Sequence, residues 1–278
     1  MIMTKPFALE NERFEFFKWL IQTDPSPLHH RNQKFYELGT AEWVLRFPEW
    51  TDWLDAKQRC LWIHGIPGAG KSVLMSHIIE QVKQYCEAST SKCVSVYYYC
   101  FYGHNQDEAA PFLRWLLAQL CRQADRIPLS IHNACKPLVM PSIKVLLEAV
   151  RDISGDFDRV YVLLDAIDES NPKEDLLGVL RTFITDPRFE KLQLLASSRR
   201  YEEIKRIMEK ISMPISMSNE YIEEDIRRNV HSLLHTNSKF SQWPDDLLCE
   251  VENTVPKKAE GMYVMASFSS KLFLLCTY

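Results

Sequence analysis

Apolar residues follow two alternating patterns through most of the chain. Short apolar runs, typical of buried strands, occur at residues 60–64, 93–101, 160–165, 192–197 and 211–217. Between them, apolar positions at helical spacing predict amphipathic helices at residues 73–86, 111–122, 143–153, 174–185 and 202–209. Strands that alternate with helices form parallel sheets with helices on both faces. The pattern therefore predicts an α/β fold around five parallel strands.

The segments on either side of this α/β pattern are predicted to be helical. A helix at residues 10–22 is broken by the turn-forming residues 23–27. Beyond residue 217, helical periodicity continues at residues 222–235, 245–254 and 260–275. We therefore expect an N-terminal helical segment (1–58), an α/β core (59–218) and a C-terminal helical lid (219–278).

The most specific motif lies between the first predicted strand and the helix that follows it. Residues 65–72 match G-x-x-x-x-G-K-[ST], the pattern of a phosphate-binding loop. Its glycines allow successive backbone N–H groups to point at a phosphate, and the helix dipole adds to this. The predicted nucleotide-binding residues are Gly65, Ile66, Pro67, Gly68, Ala69, Gly70, Lys71, Ser72 and Val73. Within this set, Lys71 is expected to reach the β- and γ-phosphates and Ser72 to ligate Mg²⁺. The motif predicts a site for ATP or GTP, with ATP favoured, together with Mg²⁺.

Acidic residues follow the third predicted strand. Asp165 ends this strand, where the carboxylate would face the ligand crevice, so we predict that it holds Mg²⁺ together with Ser72. Asp168 and Glu169 follow at a spacing that returns a carboxylate toward the γ-phosphate, and one of them, with Glu169 preferred, would polarise the attacking water. The alternative is that these acids only favour the N-terminus of the following helix.

The fourth predicted strand ends in polar and cationic residues. A guanidinium suits phosphate oxygens, so Arg199 is a candidate sensor of the γ-phosphate, and the alternative is an ordinary surface arginine. Arg199 can approach that phosphate only if its strand lies between the phosphate-loop strand and the Asp165 strand. We therefore predict the parallel strand order 5-1-4-3-2, with the nucleotide at the carboxyl ends.

Composition and charge exclude several classes of protein. A net charge of −4 over 278 residues gives no general attraction to nucleic acid or to an anionic membrane. The eight cysteines include no C-x-x-C pair and are predicted to be buried free thiols of an intracellular, cytoplasmic protein. No apolar run is long enough to span a bilayer.

These motifs resemble a known family. The phosphate loop, the acidic motif and several flanking segments are similar to the N-terminal NTPase region of fungal NACHT proteins, also described as the nephrocystin-3-like N-terminal domain. The resemblance extends from about residue 14 to about residue 266. The segments that carry it are 38–40, 62–72, 97–102, 112–120, 163–169 and 259–263. It implies a STAND-class, NLR-like signalling ATPase in which bound nucleotide switches a closed monomer to an open oligomer. Such proteins sense non-self or drive programmed cell death in fungi.

The chain departs from the family pattern at two places. Ala166 stands where the family often has glycine, which affects the turn after Asp165. After Tyr263 the family pattern stops, although family members usually continue with a tryptophan-containing helix and a repeat domain. We therefore expect a truncated chain whose repeat-domain partner is missing, and whose apolar residues 272–275 promote self-association.

Three functions remain open from the sequence. The first is a slow NTPase (NTP to NDP plus phosphate) that acts as a conformational switch and associates with itself or with protein partners. The second is a scaffold that binds nucleotide without hydrolysing it. The third, a phosphotransferase, is disfavoured because no arginine-rich lid for a second substrate is evident, whereas Asp168, Glu169 and Arg199 suit attack by water.

Overall fold

A parallel sheet forms the centre of the molecule. The computed structural model describes residues 10–135 and 140–263. Its strands are β1 (Cys60–His64), β2 (Cys93–Tyr99), β3 (Arg159–Asp165), β4 (Leu192–Ser198) and β5 (Met213–Ser216). The spatial order is β2-β3-β4-β1-β5, and every neighbouring pair is parallel. This is the predicted order read in reverse, so the predicted α/β fold and its topology are confirmed.

Helices surround the sheet and also lie before and after it in the chain. The predicted helices between strands are present with small differences at their ends, and β5 begins at Met213 because Ile211 still belongs to the preceding helix. The helices are α1 (Glu10–Leu20), α2 (Ser26–Gln33), α3 (Pro48–Leu54), α4 (Lys71–Ala88), α5 (Ala109–Ala124), α6 (Leu129–Cys135), α7 (Ile143–Ser154), α8 (Glu174–Thr185), α9 (Glu202–Ile211), α10 (Tyr221–Thr236) and α11 (Asp245–Lys258).

The pattern of apolar positions missed three of these helices, and one predicted helix does not begin at its predicted residue. The helices α2, α3 and α6 have only seven or eight residues each, too few to show a helical period. A helix beginning at residue 260 was predicted, but Glu260 and Gly261 have φ angles of 47° and 82°, which is left-handed backbone that ends a helix. The remainder of that predicted helix, including residues 272–275, lies outside the described residues.

The strands are buried because helices cover both faces of the sheet. Every position of β1 and β4 is buried. Successive side chains alternate between the two faces, so Trp62 packs in the core layer with α5 and α8, whereas Ile63 packs in the layer with α4 and α10. This double burial explains why the strands appear in the sequence as continuous apolar runs.

The topology brings the ends of three strands to one edge of the sheet. In the parallel register His64 of β1 lies beside Ser198 of β4, and Leu164 of β3 lies beside Ala196 of β4. The carboxyl ends of β1, β3 and β4 therefore meet, and the segments that leave them carry the predicted phosphate loop, the acidic motif and Arg199. The division into segments 1–58, 59–218 and 219–278 stays a prediction.

Candidate nucleotide-binding site

The phosphate-binding loop joins β1 to α4 and depends on its glycines. Gly68 and Gly70 have φ angles of 77° and 80°, in the region where a side chain is strained. A Cβ added at Gly65 would lie 2.9 Å from the Cβ of Met217, closer than packed carbon atoms approach. The motif is therefore folded as a tight loop at the N-terminus of α4, where backbone N–H groups and the helix dipole favour an anion.

The ammonium group of Lys71 folds back over this loop. Its Nζ donates hydrogen bonds to the carbonyl oxygens of Gly65, at 3.0 Å, and Ile66, at 2.9 Å. Burial lowers the pKa of Lys71, while the nearby carboxylates of Asp168 and Asp165 raise it. The cation is thus held inside the loop beside the acidic residues that follow β3.

Asp165 is the most deeply buried acid of the site. It is 1% exposed, and it accepts hydrogen bonds from the hydroxyls of Ser197 and Ser72. Burial raises the pKa of its carboxyl group, and these two hydroxyls oppose that effect. A buried carboxylate beside the Ser72 hydroxyl is a donor set of oxygen atoms, which is the type that Mg²⁺ takes. The residues present therefore fit the predicted metal.

Asp168 and Arg199 form a pair across the ends of β3 and β4. The backbone N–H of Arg199 donates to Oδ1 of Asp168 at 2.9 Å, and its Nε lies 3.3 Å from Oδ2. The Asp168 side chain is only 4% exposed, whereas that of Arg199 is 40% exposed and also donates to the Tyr201 hydroxyl. Asp168 therefore has both oxygens engaged in holding Arg199 at the mouth of the site.

Glu169 is held differently from Asp168. Its Oε2 accepts a hydrogen bond from the backbone N–H of Tyr102 at 3.1 Å. Burial raises the pKa of Glu169, and the carboxylates of Asp168 and Asp165 raise it further. A carboxylate with a raised pKa and a single anchoring hydrogen bond is better suited to accept a proton than one locked in an ion pair.

The turn after Asp165 accommodates alanine where the family often has glycine. Ala166 has a φ angle of 56°, in the left-handed region, and its N–H donates to Oγ of Ser197 at 3.0 Å. The left-handed conformation explains why glycine is favoured at this position. The turn forms nonetheless, so Asp165 keeps its place.

A cavity of about 570 Å³ adjoins the phosphate loop. It is bounded by the segment between α2 and α3, by the loop and the start of α4, and by one side of α10. Its lining includes Tyr36, Thr40, Gly70, Val73, Ser232 and Tyr263. The volume is typical of a pocket for a small ligand.

A contact that the sequence pattern did not reveal contributes to the lining of this cavity. The ring of Tyr263 lies 3.2 Å from the position that a Cβ on Gly70 would occupy. The hydroxyl of Tyr263 donates to the carboxylate of Asp225, which also accepts the backbone N–H of Ala41 at 2.6 Å. This set of residues, which we name the Tyr263 latch, joins the segment that follows α11 to α10, to the N-terminal segment and to the phosphate loop.

The structure brings all the predicted site residues to one edge of the sheet. The loop residues 65–73, Asp165, Asp168, Glu169 and Arg199 surround Lys71, and each of the four charged groups after β3 and β4 acts on the pKa of Lys71. Sequence reasoning missed Ser197 as the partner of Asp165, and it missed the Tyr263 latch. The signal in the sequence for the latch was the family resemblance at residues 38–40, which directly precede Ala41, and at residues 259–263, which end at Tyr263.

Comparison with known proteins identifies the family. The family model described as "Nephrocystin 3, N-terminal" matches residues 39–199, which is more than half of the chain. The chain belongs to this family. The resemblance noted in the sequence is therefore confirmed, and the matched residues of the nephrocystin 3 N-terminal family contain the phosphate loop and the acidic motif.

A curated relative and two solved structures extend this result. The chain is 26% identical over 204 residues to the vegetative incompatibility protein HET-E-1 of Podospora anserina, and the match covers 69% of this chain but only 14% of that protein. An ORC2 protein of Aeropyrum pernix, solved as ADPNP–ADP complexes, is 15% identical with a TM-score of 0.50 over 83% of this chain and 62% of that chain. A Drosophila ORC structure bound to DNA is 10% identical with a TM-score of 0.51 over 88% and 63%. The solved structures establish the P-loop NTPase fold.

Within residues 10–135 and 140–263, every helix is too short or too polar to traverse a bilayer.

Proposed function

We propose that this chain binds a nucleoside triphosphate with Mg²⁺, with ATP favoured over GTP, and hydrolyses it slowly as a signalling switch of the NACHT type. The observation that carries the proposal is the convergence of Lys71, Ser72 and Asp165 at the carboxyl edge of the sheet. These are the groups that a triphosphate and its metal require, and they come from two separate segments, the start of α4 and the end of β3.

Binding is assigned to the loop and to the cavity beside it. The ammonium of Lys71, released from the carbonyl oxygens of Gly65 and Ile66, would contact the β- and γ-phosphates. The Ser72 hydroxyl and the Asp165 carboxylate would hold Mg²⁺, which neutralises charge on the phosphates. The nucleoside would occupy the 570 Å³ cavity between the N-terminal segment and α10.

Hydrolysis is assigned to the two segments that follow β3 and β4. Glu169 would orient the attacking water and accept its proton, because its carboxylate has a raised pKa and a single anchoring contact. Arg199 would stabilise charge on the γ-phosphate, and Asp168 would position Arg199 before the nucleotide arrives.

The switch is assigned to the Tyr263 latch. Tyr263 packs on Gly70 of the phosphate loop and bonds to Asp225 of α10, so the state of the loop is coupled to the helices after the sheet. A nucleotide can shift such an equilibrium by as much as it prefers one state over the other. The shifted conformation would then associate with itself or bind a protein partner.

Two alternatives give different results in the same experiment. Purified protein would be titrated with ATP and with GTP in the presence of Mg²⁺, and phosphate release would be measured with and without an added acceptor hydroxyl. The switch predicts binding and slow phosphate release that ignores the acceptor. Binding without turnover would select the scaffold, and turnover that needs the acceptor would select a phosphotransferase.

A second measurement addresses the switch itself. Extraction of nucleotide from freshly purified protein should yield a bound diphosphate, as expected of a switch held in its inactive state. Light scattering with ADP and with a nonhydrolysable ATP analogue should then show a larger assembly only with the triphosphate form. The same size in both states would contradict the switch while leaving nucleotide binding intact.

A further inference from the structure

Two histidines and a glutamate converge on the surface of the helices that follow the sheet. Nδ1 of His231 lies 2.8 Å from Oε1 of Glu252, and Nε2 of His235 lies 2.9 Å from the same oxygen. The two imidazole rings lie 4.3 Å apart, centre to centre. Three potential ligand atoms from α10 and α11 therefore point at one place. We propose that His231, His235 and Glu252 form a structural binding site for a zinc-type divalent cation.

The donor set matches the chemistry of such a cation. Zn²⁺ takes imidazole nitrogens and carboxylate oxygens, commonly from three protein ligands with water in the fourth position. Histidines four residues apart lie on the same face of a helix, as in the helical zinc motif H-E-x-x-H. Here Ser232 stands at the position of the general-base glutamate in that motif, so the set can bind a metal but lacks the base for zinc-dependent hydrolysis.

The spacing requires only a small adjustment to admit the ion. With metal–ligand bonds of about 2.1 Å, the ligand atoms of a tetrahedral site lie about 3.4 Å apart. The observed 2.8 and 2.9 Å separations must therefore open by about half an ångström. Rotation of the Glu252 side chain, which is 23% exposed, can provide this movement, and the histidines are 62% and 49% exposed.

The helices beneath the site are fixed by their apolar contacts. Val230 and Leu234 of α10 and Val251 and Val255 of α11 are buried in one core layer. Because the backbones are already held, binding the ion costs little ordering of the chain. The proposed cation would bridge α10 to α11 and stabilise this helix pair.

The charges around the site permit a cation. The nearby cation Arg227 lies 3.5 Å from the backbone carbonyl oxygen of Glu252 and is paired with Glu223 on its own helix. It does not contact the Glu252 carboxylate. The Glu252 carboxylate would therefore have a partner in both states, the two imidazole N–H groups without the metal and the cation with it.

The site is separate from the nucleotide cavity. Asn229, Ser232, Leu233 and Thr236 of α10 line that cavity, and at 3.6 residues per turn His231 and His235 point to a different side of the helix. Metal binding can therefore be tested whether or not the chain binds nucleotide.

Calorimetric titration of the full chain with Zn²⁺, in excess Mg²⁺ and without nucleotide, tests the proposal. We expect one Zn²⁺ per chain with a dissociation constant in the micromolar range or tighter, and a higher melting temperature with Zn²⁺. Glu252→Gln and the double variant His231→Ala/His235→Ala should each weaken binding at least tenfold, about 1.4 kcal/mol. Because both variants lose ligands to the ion, Zn²⁺ should no longer raise their melting temperatures, each compared with its own metal-free value.

Two matched controls make the result specific. Glu250→Gln removes an exposed carboxylate from the same helix, and Cys249→Ser removes an exposed thiol next to it. Both should bind Zn²⁺ like the wild type. Equal affinity in the wild type and the double histidine variant would overturn the proposal, as would loss of binding in Cys249→Ser alone, because the thiol would then be the ligand.

Discussion

Replacing Glu169 by glutamine should separate nucleotide binding from hydrolysis. The substitution keeps the shape of the side chain, and its amide oxygen can still accept the hydrogen bond that Tyr102 N–H donates at 3.1 Å. The fold and the affinity for ATP should therefore change little. The amide cannot accept a proton, so phosphate release should fall by about a hundredfold or more, which corresponds to about 2.7 kcal/mol in the activation barrier.

The pH dependence of hydrolysis follows from the same residue. Burial raises the pKa of Glu169 above its ordinary value of 4.5, and only the deprotonated form can accept a proton. The hydrolysis rate should therefore decrease as the pH falls through that raised pKa, and the decrease should begin at a higher pH than for an exposed glutamate. Glu169→Gln should lack this decrease.

The assay combines two measurements on each variant. Phosphate release under saturating ATP and Mg²⁺ reports hydrolysis, and calorimetry with a nonhydrolysable analogue reports binding. Glu174→Gln, which alters an exposed carboxylate at the start of α8, is the matched control and should behave as the wild type in both. A Glu169→Gln variant that hydrolyses at the wild-type rate would exclude Glu169 as the proton acceptor, because the role would pass to Asp168 or the site would not be hydrolytic.

Three other substitutions test the metal site, the Tyr263 latch and the packing of the core. Asp165→Asn should abolish the Mg²⁺-dependent part of ATP binding, and unchanged Mg²⁺ dependence would exclude Asp165 from the metal site. Because burial disfavours the charged carboxylate, the substitution should also raise the melting temperature of the nucleotide-free chain at neutral pH. Tyr263→Phe loses a hydrogen bond to a charged acceptor, about 1.5–3 kcal/mol, and Tyr263→Ala also loses the contact of the ring with Gly70. Fluorescent nucleotide should therefore dissociate faster from both variants, and fastest from the alanine variant. Equal dissociation rates in the wild type and both variants would exclude a role of the latch in holding nucleotide. Trp53 is fully buried, and its Nε1 donates a hydrogen bond to the Leu194 carbonyl oxygen. In urea denaturation, Trp53→Ala should lower the free energy of unfolding by about 3–5 kcal/mol, whereas Leu38→Ala, at an exposed position, should lower it by about 0.5 kcal/mol or less. A small loss for Trp53→Ala would mean that the core is not packed as described.

The sequence predicted the parts of this molecule that depend on local pattern. Strands β1 and β4 are buried on both faces, so their apolar runs stand out, and the phosphate loop is recognised by its own residues. The position of Arg199 required β4 to lie between β1 and β3, and this constraint led to the correct strand order.

The missed features depend on contacts between distant parts of the chain. The hydrogen bond from Ser197 to Asp165 joins residues 32 positions apart, and the contact between Ala41 and Asp225 joins residues 184 apart. Neither contact produces a periodic pattern of residues in the sequence. The His231–His235 pair is visible as a helical spacing, but its third member comes from α11, and only the packing of α10 against α11 brings Glu252 to it.

The proposed function depends on the binding of a triphosphate by the loop around Lys71. Calorimetric titration of nucleotide-free protein with a nonhydrolysable ATP analogue and Mg²⁺, comparing the wild type with Lys71→Ala, tests it most directly. Lys83→Ala, which removes an exposed lysine from the same helix α4, is the control. Lys71→Ala should bind at least tenfold more weakly, a loss of about 1.4 kcal/mol or more, while Lys83→Ala should bind as the wild type does. Unchanged affinity in Lys71→Ala would contradict triphosphate binding by this loop.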